Sequence, residues 1–131
     1  MRTSRQVVHE SHYHVVWATK YRRPLIDDAV EARIEQVISE LASEKDVIVD
    51  AIECAPDHVR LLVDVHPQYG IGEFVKNAKS RTARVVRSEF PDVRSKAPSL
   101  WTRSYFVATS GDTPLDAIRE YVESQKLRGQ E

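Results

Sequence analysis

Cysteine is almost missing from this chain: Cys54 is the only one among 131 residues. No intrachain disulfide can form, and a reducing cytoplasm is the expected compartment. A cysteine-rich zinc module is excluded for the same reason. Long apolar runs are also absent. None approaches the roughly 20 residues a membrane-spanning helix needs, although the hydrophobic share of 41% suffices for one core. The basic start, Met1-Arg2-Thr3-Ser4-Arg5-Gln6, has no apolar segment behind it and does not read as a signal peptide. Glycine is scarce, and Gly70 and Gly72 around Ile71 do not make a phosphate-binding loop. Net charge is close to nil at −1. That excludes a uniformly basic protein but not a basic face: acidic residues gather in 27–50 and 110–131, basic ones in 20–23 and 76–103. With no repeat, low-complexity tract or long linker, residues 1–131 read as a single domain.

What is present is a series of well-marked elements. Residues 12–19 are rich in aromatic and β-branched types and predict a strand. Val30, Ile34, Val37, Ile38 and Leu41 predict a helix over 28–45, with Asp27 or Asp28 as its cap. Strands follow at 47–54 and 58–66. Only Ala55-Pro56-Asp57 separates them, which predicts an antiparallel hairpin. A second helix is predicted over 71–89, with Ile71, Phe74, Val75, Ala78, Val85 and Val86 on one side and Lys76, Lys79, Arg84 and Arg87 on the other. Pro91 and Pro98 mark 91–99 as a loop, and 104–109 predicts a last strand. Thr113, Pro114 and Asp116 open a final helix running to about residue 127. The order β-α-β-β-α-β-α predicts an α+β domain. Its form is a ferredoxin-like or RRM-like antiparallel sheet with helices on one face and an extra C-terminal helix.

The most informative stretch is Pro56-Asp57-His58-Val59-Arg60-Leu61-Leu62-Val63. On a strand, Val59, Leu61, Val63 and Val65 form a core face, while His58, Arg60, Leu62 and Asp64 share the other. An imidazole and a guanidinium thus stand at i and i+2. On the last helix Tyr121 and Gln125 lie one turn apart on the same side.

These pieces, in this order, resemble the single-tyrosine HUH transposases of small bacterial and archaeal insertion sequences. In that family a strand carries His-hydrophobic-His and a late helix carries Tyr-x-x-x-Gln. Tyr13-His14-Val15-Val16-Trp17 with Lys20-Tyr21-Arg22-Arg23 resembles the first strand and the basic turn after it. Leu100-Trp101 with Ser104-Tyr105-Phe106 resembles the last strand, and residues 118–125 the nucleophile helix. The resemblance implies a DNA strand transferase that binds single-stranded DNA hairpins at transposon ends and cleaves through a 5′-phosphotyrosine on Tyr121. It implies Mg²⁺ or Mn²⁺ held by His58 and Gln125, and a homodimer in which the Tyr121 helix acts in trans. The chain departs from the pattern at Arg60, where the second histidine belongs. A guanidinium has no lone pair to give a metal, so weak or absent metal binding and impaired cleavage are expected. Arg60 can instead clamp a phosphate.

Other readings stay open from the residues themselves. Tyr121 beside Leu115, Ile118 and Val122 can simply pack, and His58 can be a histidine near a turn. The stripe Lys76, Lys79, Arg84, Arg87, joined by Lys20, Arg22 and Arg23, suits a phosphate backbone but also an ordinary solvated face. Tyr21, Tyr69 and Trp101 can stack on bases or be partial core. His12-Tyr13-His14 is a literal His-x-His that the resemblance places away from the metal position. His66 lies eight residues along from His58, roughly 26 Å at strand rise, too far to share an ion. A non-catalytic nucleic-acid-binding protein derived from this family is the alternative function. A ferredoxin-like interaction domain without nucleic acid is a third.

Overall fold

The computed structural model describes residues 12–109 in full and the backbone of two short strands before them, β1 (Arg2–Ser4) and β2 (Val7–His9). Then follow β3 (His12–Ala18), a 3-10 turn (Lys20–Arg22), α1 (Asp28–Glu44), β4 (Ile48–Ala55) and β5 (His58–Asp64). The described part ends with α2 (Ile71–Glu89), α3 (Pro91–Lys96) and β6 (Phe106–Thr109). The main sheet has the order β4-β5-β3-β6, antiparallel throughout, and β1–β2 form a separate ribbon. This is the α+β sandwich the element order predicts. The expected helix over 114–127 lies outside the described residues.

The pleat sorts the side chains. Val15 and Trp17 of β3 and Val59, Leu61 and Val63 of β5 enter the core. They meet Val30, Ile34, Ile38 and Leu41 from α1 and Phe74, Val75, Ala78 and Val86 from α2. Asp27 starts α1 as expected, its Oδ1 accepting from the backbone N–H of Val30 at 2.9 Å. The two helices are stitched at the surface by bidentate pairs, Arg33 with Glu89 and Arg81 with Glu44. Such exposed pairs add little, about 0.2–1 kcal/mol each.

The β1–β2 ribbon has no counterpart in the sequence reading, and two further elements depart from it. Residues 91–96 form α3 instead of a loop. Pro91 occupies the first helical turn, where its missing N–H costs nothing, so it opens a helix and does not break one. Strand β5 stops at Asp64, short of the expected residue 66. The carbonyl of His66 instead accepts from Tyr69 and Gly70, and its Nδ1 accepts from the N–H of Gln68. His66 is thus a buried turn residue.

Candidate active site

The hairpin β4–β5 fixes the site. Its two-residue turn sets Ala55 opposite His58 and Glu53 opposite Arg60. On the other flank β3 sets Ala18 opposite His58 and Val16 opposite Arg60. Since Val59 and Leu61 point to the helices, His58 and Arg60 emerge on the sheet's opposite face. They line a depression of about 230 Å³ together with Glu53, Cys54 and Ala55. The Arg60 guanidinium forms an ion pair with the Glu53 carboxylate across the strands. Cys54 takes no part: burial pushes its thiol up to about 12, which leaves it protonated and inert.

The head of β5 is gripped by the turn after β3. Thr19 donates its backbone N–H to the carbonyl of Asp57 (2.9 Å), and its hydroxyl proton is shared between the carbonyls of Arg23 (2.8 Å) and Asp57 (3.2 Å). Tyr21 and Arg22 then take left-handed backbone angles, φ 60° and 51°. This bend aims Arg22 at Asp57, whose Oδ2 accepts from Nε at 2.8 Å and lies 2.7 Å from Nη2. The other oxygen, Oδ1, lies 2.8 Å from Nδ1 of His58. Partial burial opposes the charge on Asp57, but the hydrogen bonds from His58 and Arg22 outweigh it and hold its carboxyl below the usual carboxylate range.

The basic residues have divided fates. Lys76 and Arg84 are exposed on α2. Lys79 is half-buried, its Nζ donating to the carbonyls of Thr102 (2.7 Å) and Ser104 (3.1 Å), and burial pulls its ammonium down to about 8. Arg87 donates from Nε to the carbonyl of Ala97 at 3.3 Å. Lys20 and Arg23 flank the ring of Tyr21 at 5.5 and 5.4 Å, and Arg23 also donates to the carbonyl of Lys96. Among the aromatic candidates, Tyr21 is exposed. Trp101 is core, edge-on to Trp17, and Tyr69 packs against Phe74. His12 sits 3.3 Å from Asp50. His14 lines a neighbouring depression with Glu53 and Arg60.

Sequence reasoning missed two members of this site, Glu53 and Asp57. The hairpin spacing, which puts 53 opposite 60, was a signal for the first. Tyr121 and Gln125 lie outside the described residues. Among the described residues no three His, Cys, Asp or Glu side chains are grouped to hold a metal ion, and no helix is long and apolar enough to cross a membrane. Transposases of the type that the sequence resembles generally work with a divalent metal. Here the described strand offers one imidazole and, at the second position, a guanidinium already engaged with a carboxylate, so these residues alone do not fit a two-histidine site.

A four-stranded antiparallel sheet backed by helices, with a histidine displayed at the start of a central strand, is an α+β architecture that hosts many functions, so the class rests on the comparisons with known proteins. The pattern of the IS200-like transposase family (Y1_Tnp) matches residues 7–125, and the chain belongs to this family of HUH transposases. It is 32% identical to the ISDra2 transposase TnpA of Deinococcus radiodurans over 127 residues, 95% of this chain and 91% of that protein. To the transposase of insertion sequence IS200 from Salmonella typhimurium it is 27% identical over 115 residues, 86% of this chain and 75% of that one. A crystal structure of a protein from Deinococcus radiodurans R1 assigned as a transposase superposes with a TM-score of 0.85 at 35% identity, covering 95% of this chain and 98% of that one. A REP-associated tyrosine transposase bound to a REP hairpin shares the fold, with a TM-score of 0.61 at 10% identity over 94% of this chain and 69% of that one. DNA binding and DNA transposition are therefore the chain's class of activity.

Proposed function

We propose that this transposase binds single-stranded DNA hairpins at the ends of its insertion sequence and transfers strands through Tyr121, with cleavage impaired at Arg60. The Tyr121 oxygen attacks the scissile phosphorus, a Tyr–O–P bond forms, and the P–O3′ bond breaks. The 3′ oxygen leaves with a proton as a free hydroxyl, and the phenol's proton passes to solvent. The phosphotyrosine keeps the bond energy for rejoining. The chain acts as a homodimer in which the Tyr121 helix of one protomer serves the His58 site of the other, all within one domain, residues 1–131. The observation that carries the impaired-cleavage part is the Arg60–Glu53 ion pair beside His58. The family assignment and the hairpin bound by the REP-associated relative support the DNA part.

The test is a denaturing gel of labelled single-stranded transposon ends incubated with the chain and with Arg60→His, each with and without Tyr121→Phe. Any covalent adduct should vanish in the Tyr121→Phe proteins while DNA binding stays nearly intact. An adduct that persists overturns the assignment. If no protein of the set forms an adduct yet all bind DNA, the chain is a non-catalytic DNA-binding descendant, with Arg60 as a phosphate contact.

The α2 residues separate DNA contact from structure. Lys76→Glu and Arg84→Glu should each weaken single-strand binding and flatten its salt dependence, by about 0.7 in log–log slope for each phosphate no longer neutralised. Lys79→Met should chiefly cost stability, about 1–3 kcal/mol, because two carbonyls lose their shared donor. Anisotropy titrations at several salt concentrations, beside urea melts, read both. Unchanged slopes would return Lys76 and Arg84 to a solvated face.

A further inference from the structure

We infer that Asp57 is a positioning residue that fixes His58 as its Nδ1–H tautomer, with Arg22 as the brace that dictates which way Asp57 can work. The inference rests on the reading of His58 as a working residue of the transposase. Nothing in the family match assigns a role to Asp57 or Arg22.

The geometry carries it. An ionised carboxylate only accepts hydrogen bonds. With Oδ1 at 2.8 Å from Nδ1 of His58, the ring must present a proton there. In a neutral imidazole the other nitrogen then keeps its lone pair. Nε2 becomes the acceptor atom, the one a cation or a proton in transfer needs, and the ring cannot swing away from it. Left to water, a neutral imidazole prefers the opposite form, with the proton on Nε2. Asp57 thus inverts the ring's own preference.

Arg22 makes this more than a chance contact. Its Nε and Nη2 both converge on Oδ2, and guanidinium N–H groups can only donate. Asp57 is therefore held by an obligate donor on one oxygen while the other is presented to His58. Thr19 pins the Asp57 backbone by its own N–H at 2.9 Å. The side chains of Arg22 and Asp57 are only 17% and 18% exposed, so water competes poorly for either oxygen.

The decisive variant is Asp57→Asn. It conserves shape, yet one oxygen becomes an NH₂ donor. Arg22 requires an acceptor, so the amide oxygen must turn to Arg22 and the NH₂ to Nδ1 of His58. That nitrogen must then accept, and the proton moves to Nε2. An aspartate acting only as a structural link would leave the ring's tautomer unmoved.

The experiment is long-range ¹H–¹⁵N correlation of the histidine rings in the full chain, at a pH where they are neutral and without DNA or metal. His58 is assigned by the loss of its peaks in His58→Gln. In the unmodified chain, Nδ1 should resonate as a protonated nitrogen and Nε2 as an unprotonated one, and Asp57→Asn should exchange the two patterns. A majority Nε2–H form, or an even mixture, in the unmodified chain overturns the inference. So does an Asp57→Asn spectrum that keeps the Nδ1–H pattern. Because the readout needs neither DNA nor cleavage, failure of the strand-transfer reading would show in the gel and not here.

Discussion

Arg60→His is expected to turn a chain that binds Mn²⁺ weakly or not at all into one that binds it at least about 100-fold more tightly, and to raise single-strand nicking with it. That factor is the upper end for partners one shell removed from a metal, so a direct ligand should give no less. Position 60 shares the displayed face with His58, two residues away, so an imidazole there joins the one already in place. Two effects separate arginine from histidine at this position. A bare +1 charge about 5 Å from a +2 ion costs about 6–7 kcal/mol at an effective dielectric of about 20. Glu53, paired with Arg60, offsets much of this repulsion. The missing nitrogen is not offset at all. Hence Arg60→Leu, which removes the charge but adds no donor, should stay poor in metal. Calorimetry with Mn²⁺ and the nicking gel check this on three proteins. Tight binding and cleavage by the unmodified chain, or no gain in Arg60→His, would sink the explanation.

Trp17→Ala should be the most damaging single substitution for the fold, at about 3–5 kcal/mol. Against a typical domain stability of about 5–15 kcal/mol, that leaves little margin. Trp17 is fully buried and meets Trp101 edge-on at 5.8 Å and 81°. Trp101 is in turn anchored by its indole N–H to Thr82 Oγ1 at 3.0 Å. Deletion of the Trp17 ring opens a void between β3, α2 and the 100–102 segment that neighbours cannot all close. Trp17→Phe should cost clearly less. The indole N–H of Trp17 is buried with no hydrogen-bond partner among the described residues, so its removal gives back a desolvation penalty of about 1–3 kcal/mol. Urea melts read both. Equal losses for Ala and Phe would mean that the ring's packing is not what holds this layer.

The displayed face of β5 was legible because the alternation over 59–65, interrupted by Leu62 alone, favours burying Val59, Leu61, Val63 and Val65, all of which are in the core. Helix α1 was legible for a similar reason, since Asp27 and five apolar residues agree. The limits lie where contacts cross long stretches of chain. A helical wheel puts Lys79 on a basic stripe, but nothing in α2 says that the carbonyls of Thr102 and Ser104 will arrive to take its ammonium. Arg22 reads as one of three basic residues around Tyr21 suited to DNA. Its inward aim follows from two left-handed residues, Tyr21 and Arg22, and neither type carries the glycine signature of that conformation. Trp101 reads equally as a stacking surface or as partial core until its partner Trp17 is seen beside it.

The turn at 19–22 also bears on how this strand can be inherited. Arg22 stands 35 positions before Asp57 in the chain, and each left-handed residue in the turn carries about 1–2 kcal/mol of unfavourable backbone energy. The β4–β5 hairpin is therefore not a portable cassette. Exchanged alone between relatives, it would carry Glu53, Asp57, His58 and Arg60 together but leave behind the bent segment that holds their turn. Recombination or design that keeps 19–22 and 53–60 as one unit preserves the site. A crossover anywhere between them divides it.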